Sequence, residues 1–191
     1  MEKHKLILAI TGASGAIYAK DLIKKLQIID DQLDECCLIF SDVAKQVWEY
    51  ELEEAFPNDF YFPVIEPDDF FSPVASGSAG FNKMIVCPCS MGTLGRIAAG
   101  IADELIARAA DVILKENKTL LLVPRETPFN KIHIENISRI ANAGGIIMPA
   151  MPGFYSKPLS IHEMVSNFTD RVLSVAGFSI NGFKWGYDPA E

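Results

Sequence analysis

The apolar positions switch period along the chain, and they switch regularly. Lys5–Ile10 is a short, nearly continuous apolar run that stops at Thr11-Gly12-Ala13-Ser14-Gly15. Such a run reads as a buried strand entering a turn. Tyr18, Leu22, Leu26 and Ile29 then recur at helical spacing, which predicts a helix with one apolar face. The alternation repeats. Cys36–Phe40 predicts a second strand ending at Ser41, and Ala44, Val47, Trp48 and Leu52 predict a second helix. Phe60–Ile65 predicts a third strand, and Pro67–Gly80, rich in Pro, Gly and Ser, a loop. Lys83–Cys87 predicts a strand that closes at Pro88-Cys89-Ser90, and Leu105, Ala109, Val112 and Ile113 predict a long helix. Thr119–Val123 reads as a strand, Pro124–Asn130 as a loop, and Ile134, Ile137 and Ala141 as a helix. Ile146–Met148 predicts a last short strand before the loop Pro149–Pro158. Ile161, Met164, Val165, Phe168, Val172 and Val175 predict an amphipathic final helix.

Strands that alternate with helices and read as unbroken apolar runs belong to a parallel sheet covered on both faces. The expected fold class is α/β, a three-layer α/β/α sandwich. With no linker, internal repeat or low-complexity tract, residues 1–191 are expected to form one domain. Ligands of such sheets bind at the carboxyl ends of the strands. Here those ends are Gly12–Gly15, Ser41, Ser90–Thr93, Pro124–Glu126 and Pro149–Tyr155, all rich in small, hydroxyl or charged residues.

Composition narrows the function. The chain has 191 residues, 17 basic and 25 acidic, for a net charge of −8. That sign opposes a nucleic-acid partner and an anionic membrane surface. No apolar run approaches the roughly 20 residues of a membrane span. The segment after Met1–Lys5 is too short for a signal peptide, so a cytoplasmic protein is expected. Cys36-Cys37 and Cys87-Pro88-Cys89 lack the pair spacing of zinc sites and lie in strand-like runs, so they are expected to be small buried hydrophobes. His4 and His162 are expected at the surface, and His133 as a structural residue at a helix start. That leaves no candidate for a Ser-His-Asp triad and no cluster with metal-ligand spacing.

The strand ends carry what chemistry there is. Thr11–Gly15 is neither a dinucleotide fingerprint nor a P-loop. Backbone N–H groups at the following helix start can hold a phosphate or a flavin edge, and a plain tight turn explains the motif equally well. Ser90 and Thr93 put two hydroxyls on one turn, which can cap its own helix or bind a phosphate. Ser41 adds a third hydroxyl on the same edge. Together they suggest a phosphate-bearing ligand held without metal. Arg125-Glu126 delivers a cation and a carboxylate from a buried-looking strand, and the plainer alternative is a surface ion pair. Pro152-Gly153-Phe154-Tyr155 offers a phenol and a ring, or simply an aromatic loop capping the core.

Taken in order, these motifs resemble the UbiX-type flavin prenyltransferases. The matching segments are Thr-Gly-Ala-Ser-Gly (11–15), Ala-Ser-Gly-Ser (75–78) and Cys-Pro-Cys-Ser-x-Gly-Thr-Leu (87–94). They continue with Arg-Ala-Ala-Asp-Val-x-Leu-Lys-Glu (108–116), Leu-Val-Pro-Arg-Glu-x-Pro-Phe (122–129), Ile-His-x-Glu-Asn (132–136) and Pro-Ala-x-Pro-Gly-Phe-Tyr (149–155). The resemblance implies a flavodoxin-like domain that binds FMN and assembles into a homo-oligomer, a dodecamer. It implies a metal-independent prenyltransferase that joins the dimethylallyl group of dimethylallyl monophosphate to N5 and C6 of reduced FMN. The product, prenylated FMN, would serve a UbiD-type decarboxylase.

By the same resemblance, Gly12, Ala13, Ser14, Ser41, Ser90, Met91, Gly92, Thr93 and Arg125 would contact FMN. Arg108, Lys115, Arg125, Glu126, Tyr155 and Arg171 would meet the prenyl phosphate, and Phe70 would bind the substrate through its aromatic face. Ser14, Glu51, Lys115 and Glu126 would be the catalytic residues, with Ser14 and Glu51 handling protons near flavin N5. Phe70 stands where some members carry Trp. Glu51 lies about ten residues past Ser41, near three helical turns, so it reaches the flavin only if its helix leans back or a neighbouring subunit supplies it. The flavin-dependent cysteine decarboxylases share the fold, but they rely on a histidine in the loop before the central strand and an Asn after Pro-Ala-Met. This chain has Ser72–Ser78 and Pro152 at those places.

Overall fold

A computed structural model describes residues 3–183 and 186. Six strands form one parallel sheet in the order β3-β2-β1-β4-β5-β6. They are β1 (His4–Ile10), β2 (Leu33–Phe40), β3 (Val64–Ile65), β4 (Lys83–Cys89), β5 (Thr119–Pro124) and β6 (Ile146–Ile147). The helices are α1 (Ala16–Ile28), α2 (Asp42–Leu52), α3 (Met91–Ala98), α4 (Leu105–Lys115), α5 (Lys131–Asn142) and α6 (Ile161–Val175).

The two-residue period of β1 sorts its side chains between two cores. Leu6, Leu8 and Ile10 pack with α1, α2 and α6 through Leu22, Leu26, Trp48, Phe168 and Val172. Ile7 and Ala9 pack on the other face with α3, α4 and α5 through Leu94, Ile106, Ile113 and Ile140. The helices that follow β1 and β2 cover one face, and those that follow β4 and β5 cover the other. The order therefore reverses between β1 and β4, and that reversal opens a crevice at the carboxyl edge.

Four expectations need correcting. The third strand shrinks to Val64–Ile65. Phe60 turns inward instead and packs against Phe40 (centroids 5.2 Å apart) and Trp48 (6.1 Å), and Pro63 has no N–H to give to a ladder. The last strand ends at Ile147, just before Pro149. The segment between β4 and β5 holds two helices, not one. Gly100, at φ 67°, follows α3 in the left-handed region and lets the chain turn before α4 starts. His4 is half-buried, not on the surface, with its ring edge-on to Phe178 at 5.4 Å. Among the described residues no helix is long and apolar enough to cross a membrane.

Candidate functional site

The crevice is knitted from three strand ends. Thr11, at the end of β1, donates its Oγ1 hydrogen to the Pro88 carbonyl at 2.9 Å and accepts from the Ser90 N–H at 2.7 Å. Arg125, just past β5, donates its N–H to the Cys89 carbonyl at 3.2 Å and its Nε–H to the Ser14 carbonyl at 3.2 Å. Glu126 points elsewhere: its Oε1 accepts from the Thr127 N–H at 2.9 Å. Neighbours in sequence, Arg125 and Glu126 thus spend their side chains on different partners and do not make the surface ion pair of the plainer reading.

Each turn has a local cause. Gly12 is required because a Cβ there would meet Val43 Cγ1 at 2.4 Å, so only glycine lets the β1 turn pack on the start of α2. Gly15 has φ 121°, outside the range other residues adopt comfortably. Ser41 and Ser90 cap α2 and α3, accepting from the Ala44 and Thr93 N–H groups, each at 3.2 Å. Ser90 Oγ also lies 3.1 Å from Thr93 Oγ1. Met91 is buried and anchors the first turn of α3, while Gly92 is exposed. A Cβ on Gly92 would come within 4 Å only of Ser90 Oγ and an Arg96 nitrogen, at 3.8 and 3.9 Å.

Glu51 does lean back. Its Oε2 accepts from the Gly15 and Ala16 N–H groups, both at 2.8 Å. A carboxylate from α2 therefore caps α1, whose own Gly15 offers no side chain for the purpose. Those two N–H groups are taken, so the start of α1 is not a vacant phosphate cradle. Oε1 of Glu51 remains uncommitted to that turn. Ser14 and Glu51 share an open hollow of about 400 Å³ with Val43, Gln46, Val47 and Tyr50. Burial pushes the Tyr18 phenol up, and its electrostatic coupling to Cys87 and Glu51 adds to the effect.

The other candidates lie apart within one chain. Tyr155 and Arg171 line a hollow of about 250 Å³ between the β6 end and α6, together with Met148 and Phe168. Phe70 shares with Ser41 a cleft of about 340 Å³ whose remaining walls are mostly acidic, including Asp42, Glu66 and Glu104. Burial pushes the Glu104 carboxyl up. Arg108 donates to the Ala75 carbonyl at 3.2 Å and pairs with Asp111 at 3.0 Å. Lys115 pairs with Glu116 at 2.6 Å at the end of α4, just before β5 begins. That is the amino edge of the sheet, on the order of 20 Å from the carboxyl edge at about 3.3 Å per strand residue.

The loop 75–78, matched as a motif but given no role, belongs with these cations. Ser76 and Ser78 are exposed, with their hydroxyls 3.0 Å apart. A Cβ on Gly77 would strike the Glu116 carboxylate at 2.4 Å, so glycine is what lets the serines sit beside the Lys115–Glu116 pair. A glycine between two serines was the available signal. The expected structural role of His133 takes the form of a reciprocal cap on α5 with Asn130. All four cysteines are buried and free, and burial pushes the Cys37 and Cys89 thiols up to about 12. Among the described residues no three His, Cys, Asp or Glu side chains are grouped to hold a metal ion.

Known proteins match this arrangement. Residues 1–172 match the family model described as Flavoprotein. The chain is 44% identical to the flavin prenyltransferase UbiX of Methanocaldococcus jannaschii, over 95% of this chain and 98% of that one. A dodecameric FMN-dependent UbiX-like decarboxylase from Escherichia coli O157:H7 superposes with a TM-score of 0.87 at 37% identity, covering 95% and 98% of the two chains. AnUbiX, solved in complex with FMN and dimethylallyl pyrophosphate, gives 0.85 at 33%, covering 96% and 100%. The peptidyl-cysteine decarboxylase EpiD reaches 0.58 at 19% identity, over 87% of this chain and 98% of that one, a likeness of fold alone. This chain belongs to the flavoprotein family and, within it, to the UbiX flavin prenyltransferases.

Proposed function

We propose that this protein transfers the dimethylallyl group of dimethylallyl monophosphate to N5 and C6 of reduced FMN, and that the prenylated FMN serves a UbiD-type decarboxylase. The observation that carries the proposal is the Arg125 crosslink, which ties the β5 turn to both the β1 and β4 turns at the switch point. It supports the reading by tying Arg125 to the Ser14 and Cys89 segments, beside which the FMN candidates lie.

The residues fit FMN. Gly12, Ala13 and Ser14 supply a backbone edge at the crevice. Ser41 and the α3 start at Ser90, Met91, Gly92 and Thr93 supply hydroxyls, a helix N-terminus and, at exposed Gly92, the open space a phosphate needs. Glu51 already holds a negative charge on α1, which favours α3 for the phosphate. Reduced FMN supplies the nucleophilic edge of the reaction. Ser14 holds a proton at its hydroxyl in the hollow it shares with Glu51, and Oε1 of Glu51 is the oxygen free to exchange it. Lys115 and Arg108 neutralise the departing phosphate, and Glu126 shares a proton with it. Tyr155 and Arg171 bind the same phosphate, with the apolar wall of their hollow taking the prenyl chain. Phe70 offers a π face to an allylic cation.

Lys115 and Glu126 occupy opposite edges of one sheet, so a complete site draws on more than one copy. A homo-oligomer, a dodecamer like that of the Escherichia coli relative, meets that need. We read residues 1–191 as a single FMN-binding domain, since every strand of the described part joins one sheet. We place the protein in the cytoplasm, a reading supported by its free buried thiols. Mass spectrometry of FMN that has been reduced with dithionite and incubated anaerobically with the protein and dimethylallyl phosphate tests the activity. The expected product is FMN heavier by one five-carbon prenyl unit. Unchanged FMN with both the monophosphate and the diphosphate contradicts the proposal.

A further inference from the structure

Thr11 is 1% exposed, and every polar atom it carries into the crevice floor is used. Its own N–H and its Oγ1 hydrogen both go to the Pro88 carbonyl, at 3.2 and 2.9 Å. Its Oγ1 lone pair receives the Ser90 N–H at 2.7 Å. These bonds lie where the sheet can no longer hold itself together. The β1–β4 ladder pairs its last residues at Ala9 and Val86, and β4 slips register against β5 between Val86 and Cys89. Beyond that point the two chains diverge onto opposite faces, toward α1 and toward α3. A buried hydroxyl, acting as donor and acceptor at once, bridges the split.

Both bridged segments belong to the flavin side of the site. Gly12–Ser14 starts at the next residue. Ser90, whose N–H Thr11 receives, caps α3 with its Oγ and opens the Ser90–Thr93 turn. We propose that Thr11 is a positioning residue whose hydroxyl fixes the gap between the Gly12–Ser14 turn and the Ser90–Thr93 turn, and so the width of the FMN crevice. The inference rests on the reading that FMN lies between those turns. The Thr11 β-branch restricts χ1, which holds the hydroxyl on both partners.

The chemistry singles out a discriminating pair of variants. Thr11→Val keeps the shape and removes Oγ1, so the Ser90 N–H loses its acceptor while the backbone bond from residue 11 to Pro88 persists. A buried donor without a partner is unfavourable enough that the turn shifts to find water. Thr11→Ser keeps both side-chain bonds. The measurements are hydrogen exchange at the Ser90 amide of the apoprotein, FMN affinity by quenching of flavin fluorescence, and the thermal midpoint. We expect Thr11→Val to speed Ser90 exchange and weaken FMN binding by roughly tenfold each, the scale of one lost buried hydrogen bond. Thr11→Ser should stay within about twofold of wild type on that scale. Should Thr11→Val fail to fold, Thr11→Cys, with a weakly bonding thiol of similar size, replaces it under the same criteria.

Faster exchange in Thr11→Val with unchanged FMN affinity overturns the inference, because the bond would then serve stability alone. So does a Thr11→Ser variant as weak as Thr11→Val. Failure of the wild-type protein to bind FMN overturns instead the reading beneath it, and the inference falls with that reading.

Discussion

The proposed flavin side and the proposed phosphate side of the site are built differently. On the flavin side, Thr11, Ser14, Ser90 and Arg125 are tied together by bonds that cross between β1, β4 and β5. Glu51 adds two more bonds from α2. On the phosphate side, Arg108 pairs with Asp111 and reaches the Ala75 carbonyl, Lys115 pairs with Glu116, Tyr155 and Arg171 line a separate hollow, and Phe70 stands 43% exposed in an acidic cleft. One half is preorganised in a single chain. The other is a set of side chains scattered over separate surfaces, each adequate alone for little. A surface charge becomes powerful only when water is excluded from it. On the proposed function, folding finishes the first half and association the second.

The comparison breaks most sharply on activity. Lys115→Ala and Glu126→Gln should each keep FMN and lose prenyl transfer by about 10²–10³-fold, the usual effect of removing one charge-stabilising group. Flavin titration and single-turnover rates on the same samples check the division, and loss of flavin in either variant contradicts it. The next largest effect falls on the knitted half. Gly12→Ala drives a methyl into Val43 and should destabilise the protein by about 1–3 kcal/mol, as overpacking does. Denaturant unfolding measures that, and FMN affinity should fall with it. The smallest effect on stability is at the α1 cap. Glu51→Gln keeps an acceptor and removes the charge, so stability should drop by only about 0.3–1 kcal/mol at low salt. Thermal melts at increasing ionic strength should show the difference shrinking as the charge is screened.

How much of this was legible in the sequence divides along the same line. Period alone gave the strands β1, β2, β4 and β5, because a parallel sheet buried on both faces leaves unbroken apolar runs. It overextended β3, since Phe60 and Phe62 look like strand residues but fill the space under α2. It missed α3 as a separate helix, since Gly92 and Gly95 dilute its pattern. The strand-end turns stood out as small and hydroxyl residues after each apolar run. That Glu51 reaches Gly15 was beyond pattern reading, because it depends on how α2 leans against α1. The role of Thr11 was hidden for a similar reason: a threonine before a glycine turn reads as part of the turn until its partners across the sheet are seen. The separation of Lys115 from Glu126 follows from topology once the strands are known to be parallel, since a helix that returns to start a strand must end at the amino edge.

Complementation between inactive chains tests the division most directly. Lys115→Ala and Glu126→Gln chains, differently tagged, would be co-expressed, and oligomers carrying both tags isolated and assayed for prenylated FMN. If Lys115 of one copy serves the Glu126 crevice of another, mixed oligomers contain some sites with both residues intact. They should then form product where neither parent oligomer does. Mixed oligomers no more active than their parents would contradict the account, because Lys115 and Glu126 would then have to act within one chain, or Lys115 not at this site at all.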